Sequence, residues 1–177
     1  AVADICRQKS IPIRIGVNTG SLPKDLVASM GVTPDSMVEA ALRHVRILEA
    51  CGVFDIALSL KASDVRTNVL AYRKMAELCD YPLHLGVTEA GRRGMGNVKS
   101  DIGIGALLLD GIGDTIRVSL SGDPVPEVEA GLNILRALNL RRDAVNIVSC
   151  PTCGRKMLDV ESLAKEVERR LAGVELP

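Results

Sequence analysis

The stretch Ile11-Pro12-Ile13-Arg14-Ile15-Gly16-Val17-Asn18 alternates apolar side chains with polar or small ones. Alternation with a period of two predicts a β-strand that buries one of its faces. Arg14 and Asn18 fall together on the other face, away from the aliphatic residues. This stretch decides the fold because the same strand pattern returns three times, and each strand is followed by a helical pattern.

Four predicted strand–helix units make up most of the chain. The predicted strands cover residues 11–17, 54–60, 82–88 and 115–120. The predicted helices cover residues 34–51, then from a cap at Ser63 or Asp64 to 79, 98–109 and 124–138, while residues 19–33 form a loop. Thr33 before Pro34 is typical of a helix start, with proline at the first helical position. Strands that alternate with helices predict an α/β fold with a parallel sheet.

The number of units favours half of a TIM barrel. A complete (β/α)8 barrel contains roughly 250 residues, and these four units span about 140. An open, doubly wound sheet is the alternative architecture. No G-x-G-x-x-G motif follows the first strand, so a dinucleotide site is not indicated.

Polar side chains stand at the carboxyl ends of all four predicted strands, where a barrel builds its active site. A barrel interior without a function would carry Val, Ile or Leu at these positions. The candidate residues are Arg14, Asn18, Ser59, Lys61, Glu89, Arg117 and Ser119.

Three of these candidates, Arg14, Lys61 and Arg117, are cations in a chain whose formal net charge is zero. Arginine grips phosphate oxygens in pairs and lysine adds a point charge, so the group suits a diphosphate. Glu89 is the single acid among the candidates. Lys99 and Ser100, at the predicted start of a helix, could add a helix N-terminus to the same site.

Two further residue types are given structural roles. His84 lies inside the third predicted strand and His44 lies in the middle of a helix, and we expect both to serve packing. Cys6, Cys51 and Cys79 are isolated along the sequence and are expected to act as small apolar residues.

The remaining two of the five cysteines form the turn Cys150-Pro151-Thr152-Cys153, which follows a predicted strand at Val145–Val148. This spacing lets two thiolates converge on an iron–sulfur cluster, supply half of a zinc site or form a redox dithiol. Five cysteines without a secretory signal indicate a reducing compartment.

Composition excludes several classes of partner. The balance of 22 basic and 22 acidic residues argues against a broad nucleic-acid surface. Aromatic residues make up 2% of the chain, so stacking platforms for single strands are not expected. No apolar run reaches the roughly 18 residues of a membrane span.

Five stretches together resemble the 4-hydroxy-3-methylbut-2-enyl diphosphate synthase family, an iron–sulfur enzyme family of the non-mevalonate isoprenoid pathway. The resemblance covers nearly the whole chain, and all five motifs occur in the family's order. The stretches are Arg14-Ile-Gly-Val-Asn-Thr-Gly-Ser-Leu22, Ser59-Leu-Lys-Ala-Ser-Asp64, His84-Leu-Gly-Val-Thr-Glu-Ala-Gly91, Gly111-Ile-Gly-Asp-Thr-Ile-Arg-Val-Ser-Leu120 and Cys150-Pro-Thr-Cys-Gly-Arg155.

The resemblance implies a fold and a reaction. Residues 1–141 would be the last four units of the barrel, and residues 142–177 the beginning of a small α/β domain that holds a 4Fe-4S cluster. The family opens and dehydroxylates 2-C-methyl-D-erythritol 2,4-cyclodiphosphate with two electrons from ferredoxin or flavodoxin. A homodimer is implied, located in the cytoplasm, or in the plastid stroma of a photosynthetic eukaryote.

The resemblance also implies roles for individual residues. Glu89 would be the acid/base, and Cys150 and Cys153 would be two cluster ligands. The residues that would bind the cyclic diphosphate are Arg14, Asn18, Lys61, Arg117 and Ser119.

The family completes its cluster with a third cysteine and a glutamate in a Gly-Cys-Val-Val-Asn-Gly-Pro-Gly-Glu type stretch. This chain departs from the family because that stretch does not occur in it and no cysteine follows Cys153. We therefore expect a fragment that lacks both ends and is inactive alone. Two other readings of the cysteine turn are a zinc-binding β/α module and a dithiol oxidoreductase. The first needs a second Cys-x-x-Cys, which does not occur, and the second places its motif after a first strand, not after four units.

Overall fold

The structure is a computed structural model that describes residues 2–151, 153–155, 157–171 and 174. It divides into two compact units, residues 1–134 and residues 135–177. The strands are β1 (Ile13–Asn18), β2 (Ile56–Lys61), β3 (His84–Gly86) and β4 (Thr115–Arg117). The helices are α1 (Val2–Lys9), α2 (Lys24–Met30), α3 (Pro34–Ala50), α4 (Val65–Ala76), α5 (Met95–Leu109), α6 (Val125–Ala137) and α7 (Val160–Leu171), with a short 3-10 helix at Thr19–Ser21.

The four strands are parallel and follow one another in chain order. β1 pairs with β2 from Ile13 opposite Ile56 to Asn18 opposite Lys61. β3 pairs with β4 from His84 opposite Thr115 to Gly86 opposite Arg117. A bridge between Leu58 and Leu83 joins β2 to β3. The parallel β/α order predicted from the sequence is therefore confirmed.

Alternation along the strands separates an apolar face from a polar face. The apolar face packs under the helices: α3 contacts β1 and β2, α4 contacts β2, and α5 contacts β3. Its buried side chains are Ile15, Val17, Ile56, Leu58, Leu60, Leu83, Leu85 and Val87. The opposite face carries only polar or small residues in the paired positions, which are Arg14, Gly16, Asn18, Ala57, Ser59, Lys61, His84, Gly86, Thr115 and Arg117.

The hydroxyl of Tyr72 stands between β2 and β3. Leu58 N–H donates to the carbonyl of Pro82 at 2.8 Å, so the next rung of a parallel ladder would join Leu60 N–H to the carbonyl of His84. Instead, Leu60 N–H donates to the Tyr72 hydroxyl at 3.0 Å, and that hydroxyl donates to His84 O at 2.6 Å. A side chain of α4 therefore replaces one direct bond between the two strands.

Burial has a measurable effect on this tyrosine. Its side chain is completely buried. Desolvation raises the pKa of Tyr72 to about 12, although the Leu60 N–H and the charge of Arg14 oppose the rise. The hydroxyl therefore remains a donor to His84 O throughout the neutral range.

Side-chain caps start the helices on either side of β2. Thr33 Oγ1 accepts from Ser36 N at 3.2 Å, and Ser36 Oγ accepts from Thr33 N at 3.0 Å, which forms a capping box. Asp64 Oδ2 accepts from Thr67 N at 2.8 Å. The predicted cap at Thr33 is confirmed, and of the two candidates for the next helix the cap is Asp64.

Some boundaries differ from those predicted. The predicted loop 19–33 contains the helix α2. Its seven residues are too few to show a clear helical period, so the sequence did not indicate it. Among them only Leu26 is buried, and it anchors the helix. The predicted strand Val145–Val148 is wrong: these residues have no ladder partner among the described residues and form no strand. Apolar residues that lack a neighbouring strand cannot satisfy their backbone as a sheet.

Two arginines converge on one carboxylate at the start of the second unit. Arg136 and Arg141 both donate to the Asp143 carboxylate, at distances of 2.6 to 3.2 Å. These bonds lower the pKa of Asp143 to about 2. In the part of the chain described here, no helix has the length and apolar character needed to cross a membrane.

Replacing Tyr72 with Phe tests the inserted hydroxyl. The variant leaves the Leu60 N–H and the His84 carbonyl without their shared partner, and a buried unpaired group costs about 1–3 kcal/mol. We expect a loss of that size in the free energy of unfolding, measured with urea.

Tyr81→Phe is the matched control, since its hydroxyl contacts Glu49 at 2.8 Å near the surface. We expect it to change the free energy of unfolding by about 0.5 kcal/mol or less. Equal losses in the two variants would contradict the role given to Tyr72.

Candidate functional site

The carboxyl ends of the four strands bring three predicted site residues into one row. Asn18 pairs with Lys61, and Gly86 pairs with Arg117. Continuing the register of the Leu58–Leu83 bridge along the strands places Gly86 opposite Lys61. The row therefore runs Asn18, Lys61, Gly86, Arg117 across the polar face.

Gly86 makes room for the two cations beside it. A Cβ atom added to Gly86 would lie 2.9 Å from the backbone oxygen of Arg117 and 3.4 Å from Cδ of Lys61. The first distance is too short for any side chain, so β4 would have to move. With no side chain on Gly86, the stem of Lys61 can lie across β3 toward Arg117.

The cations on this face repel one another. Partial burial lowers the pKa of Lys61, and the charges of Arg117 and Arg14 lower it further. Arg14 and Arg117 lie on other strands than Lys61, yet both are close enough to act on its ammonium group. A bound anion would relieve this repulsion, so the face is electrostatically prepared for negative charge.

A second row lies one step toward the amino ends of the strands and contains His84. It runs Gly16, Ser59, His84, Thr115 by the same register. His84 is 7% exposed and its Nδ1 lies 2.8 Å from Thr115 Oγ1, while its buried Nε2 has no hydrogen-bond partner among the described residues. Burial and the charges of the three cations lower the pKa of His84 to about 4.

The sequence analysis gave His84 a structural role and so missed its place beside the cations. One signal was available: His84 lies two residues before Gly86, on the face that carries the polar row. Alternation alone therefore placed His84 on the site face.

The five predicted substrate-binding residues differ in their exposure and hydrogen bonding. Arg14 lies on the polar face, opposite Ala57, and its side chain is exposed. Arg117 Nη2 donates to Ser119 Oγ at 3.2 Å, which joins two of the predicted residues directly. The buried amide oxygen of Asn18 has no hydrogen-bond partner among the described residues.

Glu89, the predicted acid, lies just beyond β3 in an unusual backbone conformation. Its φ is +52°, a value that non-glycine residues seldom adopt, and its side chain is exposed. Within the described residues, no hydrogen bond or ion pair links Glu89 to the five predicted substrate-binding residues. Such a conformation at the end of a barrel strand is typical of functional sites.

The predicted contribution of Lys99 and Ser100 is corrected by the structure. The helix begins at Met95 and not at residue 98, so both residues lie beyond its first turn. Ser100 is fully buried and its hydroxyl donates to Gly96 O at 2.9 Å. The hydroxyl is therefore occupied within the helix and is not presented at the helix N-terminus.

The cysteine turn belongs to the second unit. Cys150 and Cys153 are both exposed and free of disulfides, while Thr152 between them lies outside the described residues. Cys150 lines a groove of about 390 Å³ together with Val160, Glu161, Ala164 and Lys165 of α7. No group of three or more side chains that could hold a metal ion occurs among the described residues.

The fold and the site define a parallel β/α protein with a cationic face at the carboxyl ends of its strands and two exposed thiols in its second unit. Residues 1–132 match the family model for the GcpE TIM-barrel domain. The chain belongs to the GcpE family.

Curated relatives agree with this assignment over almost the whole chain. A protein of Geobacter sulfurreducens is 57% identical over 98% of the chain, and one of Caldanaerobacter subterraneus is 54% identical over 99%. A protein of Cellvibrio japonicus is 52% identical over 100%. All three are named 4-hydroxy-3-methylbut-2-en-1-yl diphosphate synthase (flavodoxin), and the chain spans 48–50% of their lengths.

The lowered pKa of His84 predicts acid sensitivity. An unfolded histidine has a pKa of about 6.5, so the folded protein binds this proton less readily. The stability that follows from a neutral His84 is present above pH 6.5 and is lost as the pH falls toward 4. In urea unfolding between pH 7 and 4.5, we expect His84→Gln to lose less stability than the wild type.

His44→Gln is the control, because His44 is exposed on α3. It should keep the wild-type dependence of stability on pH. Parallel profiles for His84→Gln and the wild type would contradict the assignment of the acid-sensitive group.

Proposed function

We propose that this chain is part of an enzyme that converts 2-C-methyl-D-erythritol 2,4-cyclodiphosphate to 4-hydroxy-3-methylbut-2-enyl diphosphate in isoprenoid biosynthesis. The observation that carries the proposal is the row of Lys61 and Arg117 across Gly86, with Arg14 near enough to lower the Lys61 pKa. The printed names of the curated relatives support the same reaction. Because the chain spans half of their length, the activity is proposed for the longer protein.

The cations would hold the diphosphate. Arg117 can present its guanidinium as a fork, and its hydrogen bond to Ser119 orients that fork and brings a hydroxyl beside it. Lys61 adds a charge whose own solvation is already reduced by burial, so less water must be removed when an anion binds. Arg14 and Asn18, on the neighbouring strand, extend the same grip.

Fixed positive charge also assists bond cleavage. Opening the cyclic diphosphate moves negative charge onto the leaving phosphate oxygen. Cations held in place by β2 and β4 stabilise that charge without reorganising during the reaction. The parallel sheet is therefore the part that sets their spacing.

Glu89 is the proposed acid/base. Its position after β3 places it at the same end of the strands as Lys61 and Arg117. Its left-handed backbone conformation turns the chain just after the strand, and its carboxyl carries no competing ion pair among the described residues. A carboxylic acid there would hold the proton that the departing hydroxyl needs to leave as water.

Cys150 and Cys153 would hold a 4Fe-4S cluster. The two exposed thiols, two residues apart, fit two of the four ligand positions of such a cluster. When bound, the cluster supplies the two electrons of the reduction one at a time. The remaining ligands would come from outside this chain.

The domain boundary, the electron donor and the assembly of the longer protein are part of the same proposal. We propose that residues 1–141 are the last four units of the barrel and residues 142–177 the start of the cluster domain. The family match over residues 1–132 and the division of the structure after residue 134 support a boundary in this region. Flavodoxin, which the relatives' names print, is the proposed electron donor, with ferredoxin as the alternative. The complete enzyme would be a cytoplasmic homodimer.

Reconstitution tests the cluster. The full-length protein, loaded with iron and sulfide under anaerobic conditions, should hold about four iron and four sulfide per chain. Cys150→Ser should remove most of both, whereas Cys51→Ser, a change at an exposed cysteine in the first unit, should leave them unchanged. A wild-type chain that binds zinc without sulfide would contradict the proposal.

Glu89→Gln tests the acid/base role in the full-length enzyme. Removing the proton donor while keeping its shape should lower kcat by about 10²- to 10⁴-fold and change KM only slightly. Glu129→Gln, which alters an exposed carboxylate on α6, should behave as the wild type. A large rise in KM with an unchanged kcat would assign Glu89 to substrate binding instead.

A further inference from the structure

His84 has a buried hydrogen-bonding atom that its own protein leaves unused. Its side chain is more than nine-tenths buried, and Nε2 has no partner within the described residues, although Nδ1 is bound to Thr115. A buried polar atom is nearly always paired in a native protein, since leaving it unpaired is costly. A histidine that served packing alone would be expected to use both ring nitrogens.

Among the described residues, the charged groups that act on His84 are all cations and lie on three neighbouring strands, while the uncharged Ser59 stands beside it on β2. Arg14 lies on β1, Lys61 on β2 and Arg117 on β4, and all three repel a positive imidazole. From α4, the Tyr72 hydroxyl is directed to the backbone carbonyl of His84 and not to the ring. The electrostatic surroundings therefore provide positive charge on several sides of the ring.

An anion would reach His84 only if the side chains above it move, because Nε2 is buried. Gly86 is the next residue of β3 on the same face and has no side chain to cover the ring. Lys61 and Arg117 stand on either side of that gap. An anion held by these two cations would lie over the row that contains His84.

We propose that His84 is a further substrate-binding residue, whose Nε2–H donates a hydrogen bond to the anion held by Lys61 and Arg117. The inference rests on the proposed function, because it takes the diphosphate of the substrate as that anion. Thr115 is the positioning residue: its hydroxyl holds Nδ1 and thereby fixes the plane of the ring.

The Thr115 hydroxyl suits both charge states of the ring. When the imidazole is neutral, the hydroxyl donates to Nδ1 and the ring proton resides on Nε2. When the imidazole is protonated, Nδ1–H donates to the same hydroxyl oxygen. Nε2–H is a donor in both states, so the contact with the anion survives a change of charge.

Binding of the anion should change the protonation of His84. In the empty site, burial and three cations hold the pKa of His84 at about 4. A diphosphate brings at least two negative charges, offsets the repulsion of the cations and attracts a proton to the ring. The contribution of His84 to affinity, measured as the difference between the wild type and His84→Gln, should therefore increase as the pH falls from 8 to 6.

The test uses the full-length protein and inorganic pyrophosphate as the probe. Isothermal titration calorimetry gives the affinity at pH 6 and pH 8. Ring ¹⁵N chemical shifts of labelled histidine report the protonation of His84 directly, independently of the protons that pyrophosphate itself carries. The variants are His84→Gln and Thr115→Val, with His44→Gln as the matched control.

We expect His84→Gln to weaken pyrophosphate binding about 10- to 100-fold, as for loss of a hydrogen bond to a charged group. Thr115→Val should give a smaller loss, and His44→Gln none. In the wild type, pyrophosphate should move the His84 ring nitrogens toward the values of a protonated imidazole. This last readout needs no variant and holds even if His84→Gln folds poorly.

Two results would overturn the inference while leaving the proposed function intact. One is wild-type affinity in a folded His84→Gln protein. The other is weaker binding in that variant while pyrophosphate leaves the wild-type His84 resonance unshifted, which would make His84 a purely structural residue. A wild-type protein that binds no pyrophosphate would overturn the anion site itself, and the inference with it.

Discussion

The rest of the site depends on the Tyr72 hydroxyl, which accepts a hydrogen bond from Leu60 N–H and donates one to His84 O. It belongs to α4 but satisfies the backbone of two strands, so helix packing and strand spacing become a single constraint. The strands it separates carry Lys61 and His84, two site residues whose pKa values are lowered by burial and by nearby cations. A movement of α4 would therefore reach the cationic face through this hydroxyl as well as through the packing of α4 on β2.

Repulsion between like charges destabilises the polar face, and burial on the opposite, apolar face offsets it. Three cations repel one another, and a neutral histidine lies among them where a charged one would be expelled. The apolar face under α3, α4 and α5 provides the compensating burial, with Leu58, Leu60 and Leu85 fully excluded from water. Such a division between a stabilising face and a strained face is the usual arrangement in an enzyme barrel, where the site lies at the strand ends.

Much of this arrangement could be predicted from residue order. The period of two placed Arg14, Lys61 and Arg117 on one face, and the helix signals at Thr33 and Asp64 marked two helix starts that the structure confirms. What failed depended on three-dimensional partners. Val145–Val148 has the composition of a strand but no strand to pair with in the part of the chain that the structure describes, and α2 is too short to show a period. His84 was missed because its type suits a buried strand equally well, and only the register reveals its neighbours.

Gly86 has a consequence for how variation at this site would be interpreted. The residue makes no chemical contribution, yet the backbone oxygen of Arg117 lies too close for even one additional carbon atom. A survey of tolerated substitutions would therefore rank it with the charged residues and would suggest a catalytic part that it does not play. Intolerance at Gly86 would reflect how close β3 and β4 lie. Variants at Gly86 would therefore report on strand spacing, whereas variants of the charged residues would report on binding or catalysis.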